Sequence, residues 1–157
     1  MLKTLKLREA HEDDAIQITN LHKRVIREVH AHSYPIDRIE TWAQSISVLT
    51  TRERLKKDHF LVEVKEKHDI IGFVHFDDSG KIFQIYIEPL WSGKGVGSSL
   101  LKETERLLIE KRIAKAIIIS SENSVPFFKH RGYTIYKKMH LHMTKIPVFE
   151  MRKKLLN

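Results

Sequence analysis

The chain has 157 residues, about one ordinary domain, and its 41% hydrophobic and 31% charged residues suit a soluble protein with a core of its own. It contains no cysteine, which excludes a disulfide framework, thiolate metal sites and a cysteine nucleophile. The net charge of +8 is dispersed except near Lys145, Arg152, Lys153 and Lys154, and no aromatic residues interleave with it as single-strand binding would require. In chain order, residues 3–8 alternate apolar and polar side chains, the pattern of a first strand. Glu12–Asp14 then give an acidic helix entry, and Ala15, Ile18, Leu21, Val25 and Val29 recur at the spacing of an amphipathic helix. Pro35 disfavours helix at Tyr34, so a second helix is expected over 36–45 and a short third over 51–57.

The middle of the chain reads as strands over 60–64, 70–76 and 81–87, with Asp77–Gly80 as a hairpin turn. Pro89 closes the third, since it cannot donate to a ladder. Over 93–111 the apolar period lengthens from two to about 3.6, predicting a helix. A short buried strand at 116–119, a helix at 124–130 stopped by Gly132, and strands at 133–138 and 148–154 complete the chain. No repeat or linker interrupts it, so one domain spanning 1–157 is expected, an α/β mixture without a regular βαβ repeat. The N-terminus has no signal-peptide core and no apolar run is of membrane-spanning length, so a cytoplasmic protein without membrane or nucleic-acid partners is expected.

The segment that carries chemistry is Ile85–Ser99: a strand, a proline stop, a glycine-rich turn and a helix start. Gly93, Gly95 and Gly97 alternate where the helix begins. Glycine permits positive φ and close approach of a ligand to the backbone. The first helical turn adds unpaired N–H groups and the positive end of the dipole, so the segment is suited to a pyrophosphate. It is not a P-loop, because no GxxxxGK followed by Ser or Thr occurs. The dinucleotide pattern GxGxxG also fails, at Ser98 in one register and at Leu100 in the other.

The run YIEPLWSGKGVGSSLL resembles the acetyl-CoA motif of the GNAT superfamily, Q/R-x-x-G-x-G/A after a strand ending near a proline. Gly95 and Gly97 take the glycine places, and Ser92 stands where Gln or Arg is usual. A second run, SENSVPFFKHRGY, is similar to the superfamily's N-S/A-x-x-F-Y/F-x-x-x-G-F/Y helix motif through Asn123, Phe127, Phe128, Gly132 and Tyr133. The opening helix followed by IETWAQ resembles a bacterial branch of unassigned substrate. The resemblance implies a mixed, mostly antiparallel sheet flanked by helices, with central strands splayed into an acetyl-CoA cleft. It implies an N-acetyltransferase that moves acetyl from acetyl-CoA to a primary amine of a small molecule or peptide by direct transfer. A homodimer is compatible with it.

By the same resemblance, backbone groups of Ile85, Tyr86 and Ile87 hold the pantetheine arm. Gly93, Lys94, Gly95, Val96, Gly97 and Ser98 take the pyrophosphate, and Asn123 and Phe128 border the cosubstrate. Many relatives have Tyr where Phe128 stands, as acid for the departing thiolate, and Phe has no proton to give. A non-catalytic acyl-CoA-binding module on the same fold is therefore the alternative. For a base, the strands offer His75, Glu88 and Glu63, with Gln84 nearby; His75 has an intrinsic pKa suited to the role. His30, His32 and Tyr34 lie in a helix break that borders the acceptor site in this superfamily or is plain surface loop. The His-x-His spacing has no third ligand at a defined distance, so no metal is expected.

Overall fold

The computed structural model describes residues 5–32, 34–66, 68–142 and 145–157. The chain runs β1 (Leu5–Glu9), α1 (Ala15–Val29), α2 (Ile36–Gln44), α3 (Val48–Lys57), β2 (His59–Lys65), β3 (Asp69–Phe76) and β4 (Lys81–Ile87). It continues through α4 (Val96–Glu110), β5 (Lys115–Ser121), α5 (Val125–Lys129), β6 (Thr134–His140) and β7 (Pro147–Lys154). The strands form one sheet in the order β1-β2-β3-β4-β5-β7-β6, antiparallel throughout except for the parallel pair β4 and β5. This is the α+β arrangement expected. A parallel pair needs a crossover, and α4 supplies it.

Alternation along the strands sorts the core onto the two faces of the sheet. Phe60, Val62, Val64 and Phe73 pack with Ile18, Leu21 and Val25 of α1. On the other face Leu61, Val74, Phe76 and Ile118 pack with Leu100, Leu101 and Leu108 of α4. Each such side chain, fully buried, contributes about 1.5–3 kcal/mol. A third cluster joins α2 to α1 through Ile39, Ala43 and Ile26. Among the described residues no helix is long and apolar enough to cross a membrane.

Several boundaries differ from the sequence expectation for local reasons. The third helix starts at Val48 rather than 51 because the Ser47 hydroxyl accepts from Thr50 N at 3.1 Å, an N-cap that lengthens it. The fourth starts at Val96, since Gly95, at φ 88°, is its N-cap. The first strand occupies 5–9, and residues 3 and 4 of its expected span lie outside the described residues.

Candidate active site

The site begins where β4 and β5 part. Their ladder holds only Lys81↔Ile117 and Ile82↔Ile118. Against β3, by contrast, β4 stays paired from Ile82 to Ile87. The register shifts just past Ile82: His75 faces Gln84 and Phe76 faces Ile82, leaving Phe83 as an extra residue on β4. Such a bulge bends and twists its strand, and here it directs β4 away from β5. From Phe83 to Ile87 the β5-facing edge of β4 keeps no strand partner among the described residues, and its amides are available to an extended polar ligand.

A cleft of about 530 Å³ opens along this edge. Ile85, Tyr86 and Ile87 form one side, the glycine turn one end, and Asn123, Phe127 and Phe128 the opposite side. Val25, Val29 and His30 of the first helix and its following turn close it from the α1 face. Gly93 and Gly95 have φ of 74° and 88°, the left-handed region, and a Cβ built on either would meet nothing within 4 Å. The turn thus presents its backbone to open space. A Cβ on Gly97 would instead come within 3.1 Å of the Phe127 ring and 3.6 Å of Ile87. Gly72, which the sequence reading passed over, lets β3 pack on α4: a Cβ there would lie 2.9 Å from Val96.

Of the residues expected to touch the cosubstrate, Ile85, Tyr86, Ile87, Gly93, Gly95, Gly97, Ser98, Asn123 and Phe128 all line the cleft. Lys94 is exposed in the turn, its ammonium 5.2 Å from the Trp91 ring, and the Val96 side chain is buried beneath the helix start. These two can contribute only through backbone or long reach.

The expected bases are placed differently, and none lines the cleft. His75 is buried between the rings of Phe60 and Phe83, at centroid distances of 4.3 and 4.5 Å, with Nε2 2.8 Å from Asp58 Oδ2. Burial lowers its pKa against the opposing pull of Asp58. Glu63 is buried on the α4 side, where burial raises its pKa and the Ser99 hydroxyl works in the other direction. Its Oε2 has no hydrogen-bond partner among the described residues. Glu88 stands between the cleft residues Ile87 and Pro89, but Arg24 holds both its oxygens, at 3.2 and 2.6 Å.

Of the helix-break residues, His32 is exposed and His30 is 1% exposed. The Asn123 amide nitrogen donates to Val29 O and to His30 Nδ1, each at 3.3 Å. That leaves the ring proton on Nε2, and burial pushes the pKa down to about 4, so His30 is neutral at physiological pH. Trp42 stacks on it at 5.2 Å. Tyr86 stacks on His22 at 4.6 Å, and its hydroxyl makes no hydrogen bond to any described residue. Tyr133 donates to Glu105 at 2.7 Å, while Phe128 is 1% exposed against it.

Sequence reasoning missed Arg131, the one charged side chain lining the cleft among the described residues. Its signal was the i to i+4 spacing from Phe127, which brings its guanidinium 3.7 Å from that ring.

The same architecture occurs in known proteins. A GCN5-related N-acetyltransferase from Rhodopseudomonas palustris superposes with a TM-score of 0.89 at 22% identity, covering 98% of each chain. The PaiA N-acetyltransferase of Thermoplasma acidophilum, solved with coenzyme A, gives 0.80 at 18% identity over 96% of this chain and 99% of its own. YncA of Salmonella typhimurium, solved with acetyl-CoA, gives 0.74 at 14% over 98% and 95%. No curated protein sequence matches. Residues 27–155 match the family described as the acetyltransferase (GNAT) domain, and the chain belongs to that family.

Proposed function

We propose that the chain is an N-acetyltransferase that transfers acetyl directly from acetyl-CoA to a primary amine, with both reactants held in the cleft between β4 and α5. The observation that carries this reading is the unpaired edge of β4 running straight into a glycine turn that faces open space. Polar amides along one wall suit an extended amide-bearing arm, and N–H groups at a helix start suit phosphate. The fit is chemical as well: the cleft has no acidic side chain among its described residues, so nothing there repels a polyanion. When bound, acetyl-CoA supplies the activated acetyl group.

The chain's own residues do the rest. Backbone groups of Ile85, Tyr86 and Ile87 hold the arm, Gly93 to Ser98 hold the pyrophosphate, and Asn123 and Phe128 form the opposite wall. Fixing two reactants in one cleft removes much of the entropic barrier. Neutral His30, Val25 and Val29 keep the α1 side dry. Tyr86 lines the cleft, its hydroxyl bonds no described residue, and burial raises its pKa, so it holds its proton across the working range. We assign it to hydrogen-bond the departing sulfur. Among the three expected bases, Glu88 alone borders the cleft and is kept as the candidate, acting through a water; Glu63 and His75 are assigned to the interior.

We take residues 1–157 as one such domain, working in the cytoplasm, in keeping with a cysteine-free chain. The acceptor is a small-molecule or peptide amine. Phe128 favours a second reading, a binding module without turnover. Release of CoA thiol from acetyl-CoA, measured with a panel of primary amines, separates the two. Amine-dependent release is the outcome expected, and saturable cosubstrate binding with no release from any amine class would favour the module.

A further inference from the structure

Arg131 differs from the chain's other well-anchored arginines in what holds it. Arg8, Arg24, Arg27, Arg106 and Arg152 each bind a carboxylate. Arg131 is held by neutral groups alone. Its Nε donates to Ser98 Oγ at 3.0 Å, Nη1 to the Phe127 carbonyl at 2.9 Å, and Nη2 to the same Ser98 hydroxyl. The Phe127 ring supports the guanidinium face at 3.7 Å. No carboxylate pairs with it among the described residues, so its charge is uncompensated where it lines the cleft beside Gly97 and Ser98.

This arrangement is costly unless it is used. A full positive charge is fixed without a counter-ion, and the rotamer entropy of a long side chain is already lost. Each terminal nitrogen donates one bond among the described residues and retains a second N–H, donors suited to phosphate oxygens. A carboxylate partner would have neutralised the guanidinium; Ser98 and Phe127 orient it and leave its charge intact. Arg131 also joins the two motif regions, tying α5 to the first turn of α4.

We propose that Arg131 is a phosphate ligand of the cosubstrate site, making the cleft select phosphate-bearing thioesters over bare pantetheine thioesters. The proposal rests on the reading of this cleft as the acetyl-CoA site. The guanidinium meets phosphoryl oxygens by charge-assisted hydrogen bonds, and the backbone turn and the side chain share the anionic end of the ligand.

The test is calorimetric titration of wild type, Arg131→Met and Arg131→Lys with CoA, dephospho-CoA and pantetheine, repeated at two salt concentrations. Arg131→Met should weaken CoA about 10- to 100-fold, the scale for loss of hydrogen bonds to a charged group, and flatten its salt dependence. Arg131→Lys, which keeps the charge but loses the fork, should fall between. A loss shared by dephospho-CoA places the guanidinium on the pyrophosphate, and a loss confined to CoA places it on the ribose phosphate. Pantetheine should bind alike to all three proteins. Wild-type affinity for CoA in Arg131→Met, or an equal loss for pantetheine with salt dependence unchanged, would overturn the proposal. Failure of the wild type to bind CoA would instead sink the reading of the cleft itself.

Discussion

The two long edges of β4 have opposite fates. Toward β3 the ladder continues to Ile87, and toward β5 it stops at Ile82. Polar side chains over the paired strands are enclosed: His75 is sandwiched and bonded to Asp58, and Glu63 is buried under α4. Along the unpaired edge the groups remain uncommitted, including the β4 amides, the Tyr86 hydroxyl and the outer N–H groups of Arg131. The proposed function places reactivity where the backbone has not been satisfied rather than on a titratable side chain of a central strand.

The sharpest break of that comparison is Gly97→Val. Its branched side chain would run into the Phe127 ring and Ile87, the two walls of the cleft. Calorimetry should show binding of acetyl-CoA weakened beyond about 100-fold, with the circular dichroism of the fold retained. Retained affinity would mean the cosubstrate does not pass this point.

The α1 face gives a pH effect of known sign. Burial holds His22 down to about 3 and His30 to about 4, against 6.5 for a free imidazole. Below pH 6.5 the unfolded chain takes up these protons and the native one does not, so stability falls as pH drops from about 6.5 toward 4. At 1.36 kcal/mol per unit the ceiling is on the order of 3 kcal/mol for each. Urea unfolding at pH 7 and pH 4.5 measures it, and His22→Phe should flatten the slope. An equal slope in that variant would contradict a buried neutral His22.

His75→Ala tests the paired side. It leaves a gap between two rings and an Asp58 without its partner, costing about 2–4 kcal/mol. The melting temperature should fall by several degrees, at about 2–4 °C per kcal/mol, with turnover well below the transition unchanged. Lost turnover at full stability would return His75 to the catalytic role expected of it from sequence. Tyr86→Phe should do the reverse, lowering kcat about 10- to 100-fold with KM and stability little changed. Glu88→Gln should have the smallest effect on stability, since it removes a partly exposed ion pair worth under about 1 kcal/mol, while lowering kcat through loss of the proposed base. An unchanged kcat in Glu88→Gln would remove Glu88 from the role of base.

The features legible in the sequence were those set by local chemistry. Gly93 and Gly95 are needed for positive φ, Asn123–Tyr133 is a contiguous helix motif, and strand alternation sorts Phe60, Val62 and Val64 from Leu61. The features that were not legible depend on contacts between distant segments. Alternation places His75 on a face, but whether Asp58 and Phe83 enclose it is decided by α3 and by the bulge on β4. Arg131 sits inside a recognisable motif, yet its meaning comes from Ser98, which the fold brings to it. The start of α3 was misjudged because one cap residue outweighed the apolar pattern.

In the proposed function the unpaired edge of β4 and the glycine turn together hold acetyl-CoA. Titration of acetyl-CoA into the purified wild-type protein, with Gly97→Val alongside, tests it most directly. Saturable one-to-one binding that the variant loses is the result predicted. No binding by the wild type, or equal binding by both proteins, would contradict it.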